Sequence, residues 1–539
     1  MSDSVFNLVD NPWICMLSKD GTVKKEGLRN TFLNLSNYLD IGGEIRLQDM
    51  AILRLLIAIS VTILYRYDEN GNKSELRDWE HALQRFHAVW ALGKFNERAV
   101  NEYFSIWHDR FNLFDDKYPF FQITLDSMNW KEDEKCPDGK KPVHSNGVYM
   151  NWMPIANING RIQRSDNKPN APYKDIEGTA VTDMEYDEAA RWLLFYNAYA
   201  DCTVGKQQHY RGPSGKKQSA NAGMTLPSRG SLITPVGKNL FETIMLNSVL
   251  FNPKRFELFE TIRPVWEEEW IESEIINRPV PNDLPRMYTQ QARRISLFRD
   301  NGKVIGAFVS AGESYSEDLL WMEPAFMMRE IKDSSTKQFK NVPMQYSSSV
   351  DIWREISHIA GDKGAAITIW IEILLQNYDD DKVIPFRVTG IKYGKVNCGI
   401  QSMTEDRIVL SRQFLMDTDT QVDAVNEIKR IDSISKLVFN FGNNCARCMN
   451  LASKDIRVGS HLSDQFYDRI GHEFRKYLSG LSSITDIRKS EFEIAREVTA
   501  QFVEHNIKAL LKGRPGEKSM YLGKAEAIFN AGILKIERK

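Results

Sequence analysis

Past Ser411 the chain changes character. Thr420–Phe441, Leu462–Leu478, Ile487–Leu511 and Met520–Ile533 carry apolar residues three and four positions apart, with short links between them. That spacing gives a helix one apolar face, which needs a neighbour to cover it. Four such segments in succession predict a four-helix bundle. The change of pattern sets a domain boundary near residue 408. The expected fold class is α+β, with a large mixed α/β domain over 1–408 followed by the helical bundle over 409–539.

The first 408 residues mix both periodicities. Phe6–Met16 and Thr22–Arg29 read as short strands, and Asp78–Leu92 as a helix carrying Trp79, Phe86 and Trp90. Met50–Tyr65 is the most apolar run, but it contains Arg54 and is shorter than the ~20 residues a membrane span needs. It is expected to be a buried helix, with no membrane partner. Trp107–Gln122, WHDRFNLFDDKYPFFQ, reads as a packed, irregular aromatic turn. From Lys131 to Asp183 the chain is polar and shows little helical or strand period, as expected of a long loop. Helices are predicted at Tyr186–Ala200, Phe241–Leu250, Ser349–Ile359 and Ala365–Leu375. Arg286–Lys303 is predicted to form a strand or hairpin turning at Asp300-Asn301-Gly302, and Val383–Lys392 with Val396–Met403 a second hairpin.

The formal net charge of −2 excludes a chain that coats nucleic acid over its whole surface, so any such contact must be local. One stretch is locally basic. TVGKQQHYRGPSGKKQSANAG, Thr203–Gly223, carries Lys206, Arg211, Lys216 and Lys217, and no carboxylate appears between Asp201 and Glu242. Glycine lets a backbone come close to a ligand and uncompensated cations attract phosphate. A nucleotide cradle, a nucleic-acid contact and a solvated loop all fit.

Catalytic and metal motifs do not appear. The basic stretch lacks the G-x-x-x-x-G-K-[ST] pattern, because Gly205 and Gly212 are too far apart and no hydroxyl follows Gly215-Lys216-Lys217. Cys445 and Cys448 have C-x-x-C spacing on a helical pattern, with no second pair, and His461 and His472 are too far apart to complete a zinc set. Small core residues are the expected reading of both cysteines. His108 and Asp109 are expected to pack and cap. There is no H-E-x-x-H and no G-x-S-x-G, so no enzyme activity and no cofactor are expected. Six scattered cysteines and a start without a charged, apolar leader point to a reducing cytoplasm.

Several stretches together resemble one family. FNLVDNPWI, WHDRFNLFDDKYPFFQ, DEAARWLLFYNAYA with its glycine-bearing loop, NLFETIMLNSVLFNP and YTQQARRISLF occur in the order seen in CasA, the large subunit of the type I-E Cascade complex of CRISPR defence. The resemblance implies a non-catalytic subunit with an α/β domain and a helical bundle. It would check incoming duplex DNA for a protospacer-adjacent motif, help to start strand separation, and give a landing platform to the helicase-nuclease effector. Its implied partners are the small, backbone and guide-processing subunits, CRISPR RNA and target double-stranded DNA.

The resemblance also implies roles for residues. The glycine loop corresponds to Val204-Gly205-Lys206, with Arg211, Lys216 and Lys217 supplying phosphate contacts. The strand-separating wedge corresponds to the hairpin tip around Tyr393, Gly394, Lys395 and Asn397. A separate basic contact falls on Arg293, Arg294 or Lys303, and a loop seating the subunit near the guide RNA on Asn157, Asn159, Asn170 and Tyr173. Two alternatives stay open: a stand-alone enzyme with an unrecognised site, and a scaffold without nucleic-acid contact.

Overall fold

The computed structural model describes residues 6–124, 131–132, 143–145, 148–158, 183–200, 208–211, 217–220, 225–268, 276–278, 281–315, 323–347, 349–361, 364–376, 382–393, 400–446, 457–511 and 516–538. They divide into two units. The first comprises Met1–Ser348, Lys363–Leu374 and Phe386–Asp406, the second Ser349–Asp362, Leu375–Pro385 and Arg407–Lys539. The last crossing lies close to residue 408, but two earlier segments also belong to the second unit. Periodicity could not assign them. Trp353 is fully buried against Phe474, ring centroids 4.8 Å apart, and that pairing is a tertiary choice.

In the first unit the apolar run becomes the 21-residue helix Arg46–Arg66. It is longer than the run suggested, because Arg46–Asp49 continue it, and by length and composition it could cross a membrane. Here protein surrounds it: its apolar window is wholly buried, and helices Tyr186–Tyr199, Leu284–Tyr288 and Leu240–Asn247 pack on it. Arg54 is tolerated inside because its guanidinium lies 2.8 Å from Glu323 Oε2 and 3.8 Å from the centre of the Tyr288 ring. Tyr288 in turn donates to Glu323 Oε1 at 3.1 Å. A buried guanidinium without that carboxylate would carry a desolvation cost of several kcal/mol.

The segment expected to be a structureless loop contains strands. Lys131–Glu132, Val143–Ser145 and Val148–Pro154 continue a five-stranded antiparallel sheet begun by Arg293–Asp300 and Lys303–Ala311. The reward for Val148–Pro154 is tertiary. Trp152 lies edge-on to Phe308 and Phe298, and it crosses Gly306 so closely that a Cβ there would meet the indole at 2.5 Å. The hairpin turn is where the sequence placed it, with Asn301 and Gly302 both at positive φ, the backbone that suits the twist of paired strands. Arg286 lies outside that hairpin, in the short helix Leu284–Tyr288 capped by Asp283.

The aromatic segment is core and staple. Phe111 packs on Phe104, Phe120 and Trp266. His108 Nε2 lies 2.8 Å from Asp10 Oδ2, and Asn7 Nδ2 donates to the His108 carbonyl at 2.9 Å. His108 thus ties down the start of the chain.

In the second unit, helices Thr418–Ala446, Val458–Leu478, Ile484–Phe502 and Glu517–Glu537 form the core. The first of them packs on each of the other three. Small residues let them approach. A Cβ on Gly442 would meet the Gly459 Cα at 2.8 Å, and one on Gly471 would meet Trp353 Nε1 at 2.6 Å. Ser483 and Asp486 form a reciprocal capping box at the start of Ile484–Phe502. Residues 349–359, read as helix, hold the 3₁₀ segment Ile352–His358. Cys445 is buried on the first long helix; Cys448 lies outside the described residues. Among the described residues no group of three or more His, Cys, Asp or Glu could hold a metal ion.

Candidate nucleic-acid interface

The last carbonyls of any helix lack partners within it and must find donors elsewhere. At the end of Tyr186–Tyr199 three different parts of the chain supply them. Thr225 Oγ1 donates to the Ala198 carbonyl. Tyr393 OH donates to the Tyr199 carbonyl at 2.7 Å, and Arg293 Nη2 to the Ala200 carbonyl at 3.3 Å. The Arg293 backbone N–H also donates to Asn197 Oδ1 at 3.3 Å. A guanidinium at this end faces the negative pole of the helix dipole, where a cation is favoured.

This anchor has a positional consequence. The basic stretch follows Ala200 in sequence, and Tyr393 ends the first strand of the second hairpin, so the ends of both segments meet at one fixed point. Within the stretch, Gln208–Arg211 pairs antiparallel with Lys217–Ala220, which sets Arg211 opposite Lys217 in the ladder. Gly205, Lys206 and Lys216 lie outside the described residues, as do Gly394, Lys395 and Asn397. Asn157 falls in the short helix Ile155–Ile158 that follows Val148–Pro154; Asn159, Asn170 and Tyr173 lie outside the described residues.

The expected basic contacts need correction. Arg293 and Arg294 are each 1% exposed, so neither is available to a phosphate. Arg293 is spent on backbone carbonyls, including its neighbour Ala292 at 2.8 Å, and Arg294 Nη1 reaches Gln291 Oε1 at 3.4 Å. Strand alternation does not reveal this, since long cationic side chains read as solvent-facing unless interior acceptors are known. Tyr393 is likewise half-buried, with its hydroxyl turned to the anchor. Lys303 remains at the surface, 46% exposed, between Asp183 at 3.1 Å and Glu185 at 3.2 Å. Hydrogen bonding to those carboxylates holds its ammonium above the ordinary lysine range.

Sequence reasoning missed the anchor's other half. Thr225 carries no motif, and only the rule that helix ends require donors hinted that one was needed. Beside the anchor is a cavity of about 20 Å³, lined in part by Arg54, Phe121, Asn197, Tyr288 and Gln290. It has room for about one water and is far below the ~300 Å³ of a small-molecule pocket.

Comparison with known proteins places this architecture. The family model for CRISPR-associated protein Cse1 matches residues 7–505. CRISPR-associated protein CasA/Cse1 of Thermus thermophilus is 27% identical over 264 residues, a stretch covering 49% of this chain and 42% of that relative. The crystal structure of Thermobifida fusca Cse1 superposes with a TM-score of 0.78 at 19% identity, covering 99% of this chain and 98% of that one. A chain of a CRISPR RNA-guided surveillance complex gives a TM-score of 0.62 at 15% identity, covering 98% and 99%. With most of its length matched by one family model and its fold shared with solved members, the chain belongs to the CRISPR-associated Cse1 (CasA) family.

Proposed function

We propose that this chain is the non-catalytic large subunit of an RNA-guided surveillance complex of the type I-E Cascade kind. In this reading it recognises the protospacer-adjacent motif in target duplex DNA, begins strand separation, and offers a platform to a helicase-nuclease. The glycine-bearing stretch reads the motif and the hairpin beyond Tyr393 acts as the wedge. Its partners are the small, backbone and guide-processing subunits, CRISPR RNA and target double-stranded DNA, and the four long helices act as a four-helix bundle at the C-terminal end. Membership of the family supports the complex.

The observation that carries the site is the shared anchor: Tyr393 of the hairpin bonds the Tyr199 carbonyl, next to Ala200, whose carbonyl Arg293 holds and after which the basic stretch follows in sequence. Reading a motif and prying the next base pair apart requires two elements held in fixed register, because each unstacked step costs a few kcal/mol that contacts alongside must offset.

The test uses the chain assembled with guide-loaded partner subunits and duplexes varied at the motif positions, with 2-aminopurine beside the motif. Opening should depend on the motif and on this subunit. Replacing Lys395 and Val396 with Gly should slow opening of paired duplex far more than of premelted duplex. Motif-independent opening, or equal slowing on both duplexes, would overturn the reading.

A further inference from the structure

Strands Met328–Lys332 and Phe339–Pro343 of the first unit form a two-stranded antiparallel ribbon that, among the described residues, joins no larger sheet. Only its base is buried. Met328 is inside, while Arg329, Glu330, Lys332, Phe339, Lys340 and Asn341 are all exposed. A free two-stranded ribbon is marginally stable in water, so its shape must be held locally. The turn does so: Asp333 accepts from Ser335 N at 2.8 Å and Thr336 N at 3.1 Å, and its own N–H donates to the Gln338 carbonyl at 2.8 Å.

Two features of this ribbon face solvent rather than the core, although the Lys337 N–H also closes the turn on the Asp333 carbonyl at 3.0 Å. Phe339 leaves 66% of its surface exposed, opposite Lys332 in the ladder and with that ammonium 5.9 Å from its ring centre. Lys337 sits at φ 61°, a conformation suited to glycine or asparagine and strained for lysine. Such strain persists where the surrounding structure enforces it, and it often marks functional positions. Here it puts an ammonium at the tip of a rigid turn. On the face of the ring stand Lys332, Glu330 and Asn341, with Lys337 two residues before it in the turn, whereas Arg329 and Lys340 alternate to the opposite face of the ribbon. Asp333 is already committed to the turn and to Lys340, 3.1 Å away.

We propose that this ribbon is a second nucleic-acid contact, one that takes unpaired strand: a base stacks on Phe339 while Lys332 and Lys337 hold the flanking phosphates. An exposed ring beside cations suits single-stranded nucleic acid because every unpaired base offers a face to stack and every linkage a charge. A duplex offers only the charge. The inference takes from the reading above the premise that nucleic acid is the ligand, and adds a surface which that reading does not use.

The test needs neither guide nor motif. The full chain is titrated into a labelled mixed-sequence single strand, and into the same sequence as duplex, by fluorescence anisotropy at several salt concentrations. Phe339→Leu should weaken single-strand binding about tenfold, with duplex binding changed less than about twofold, as expected of lost stacking. Lys332→Gln and Lys337→Gly combined should lower the salt slope for single strand by about 1.4, two phosphates at ~0.7 each. Lys337→Gly alone should raise the melting temperature while weakening binding, which separates contact from folding. Unchanged affinity and slope in folded variants, equal losses on single strand and duplex, or no single-strand binding by the unaltered chain would each overturn the proposal. Displacement by poly-glutamate as effectively as by oligonucleotide would also overturn it, assigning the ribbon to an acidic protein. Because the motif assay uses the assembled complex, its failure and the failure of the ribbon are separately visible.

Discussion

Tyr393 donates its phenolic hydrogen to the carbonyl of Tyr199 across 2.7 Å, closing the end of one helix with the tip end of a hairpin strand almost two hundred residues away in sequence. The bond fixes where the hairpin rises relative to the basic stretch beginning just after Ala200. Tyr393→Phe removes the donor and leaves the ring. It should cost about 1 kcal/mol locally, seen as faster amide exchange at the end of that strand, and should slow opening of paired duplex in the assembled complex without preventing assembly. Unchanged exchange at residues 386–393 would show that the bond does not hold the hairpin.

Arg293 answers a different question, since its burial makes it a structural cation. Arg293→Leu leaves the Ala200 carbonyl without the guanidinium that reaches it. The expected loss is about 2–4 kcal/mol of stability in the first unit. The salt slope of DNA binding measured on the folded fraction should stay unchanged, because no phosphate contact has been removed. A slope lowered by about one would restore Arg293 to the interface.

Gly471 has no freedom to become alanine. A methyl group there would lie 2.6 Å from Trp353 Nε1, and the indole is buried with little room to retreat. Gly471→Ala should destabilise the second unit by about 1–3 kcal/mol, the usual cost of overpacking, read as a lower denaturation midpoint for its helices. The double variant with Trp353→Phe should recover part of that loss.

A buried glutamate, Glu491, makes the second unit sensitive to pH. Glu427 and Glu491 lie on Thr418–Ala446 and Ile484–Phe502; Arg430 Nε is 2.6 Å from Glu491 Oε1, and Arg488 Nε 2.9 Å from Glu427 Oε2. Burial first, then the neighbouring Glu427 working against the relief given by Arg430, pushes the Glu491 carboxyl up to about 8. A raised carboxyl keeps its proton in the folded state after the unfolded chain has released it. Stability from this group is therefore full below the ordinary glutamate value of 4.5 and falls as pH rises toward 8, levelling off above. Exchange-measured stability of the two helices should decline between pH 5 and 8, and Glu491→Gln should flatten that decline. An equally steep decline in the variant would place the titration elsewhere.

The division of labour between sequence and tertiary structure follows from the range of the forces involved. Helical spacing past Ser411, the apolar run ending at Tyr65, the Asn301-Gly302 turn and the helix ending near Ala200 were all legible, because periodicity and turn chemistry act over a few residues. The order of the family's motifs was legible too. The sequence could not say that Arg293 and Arg294 point inward, that Val148–Pro154 is a strand, or that residues 349–362 join the C-terminal unit. Each depends on a partner far along the chain: the carbonyl of Ala200 for Arg293, the Lys303–Ala311 strand and Phe308 for Trp152, and Phe474 for Trp353. A side chain's type sets what it can bond to. Only the fold decides which acceptor, ring or strand is within reach, because burying a polar group costs free energy unless a partner, here on a distant segment, completes its hydrogen bonds.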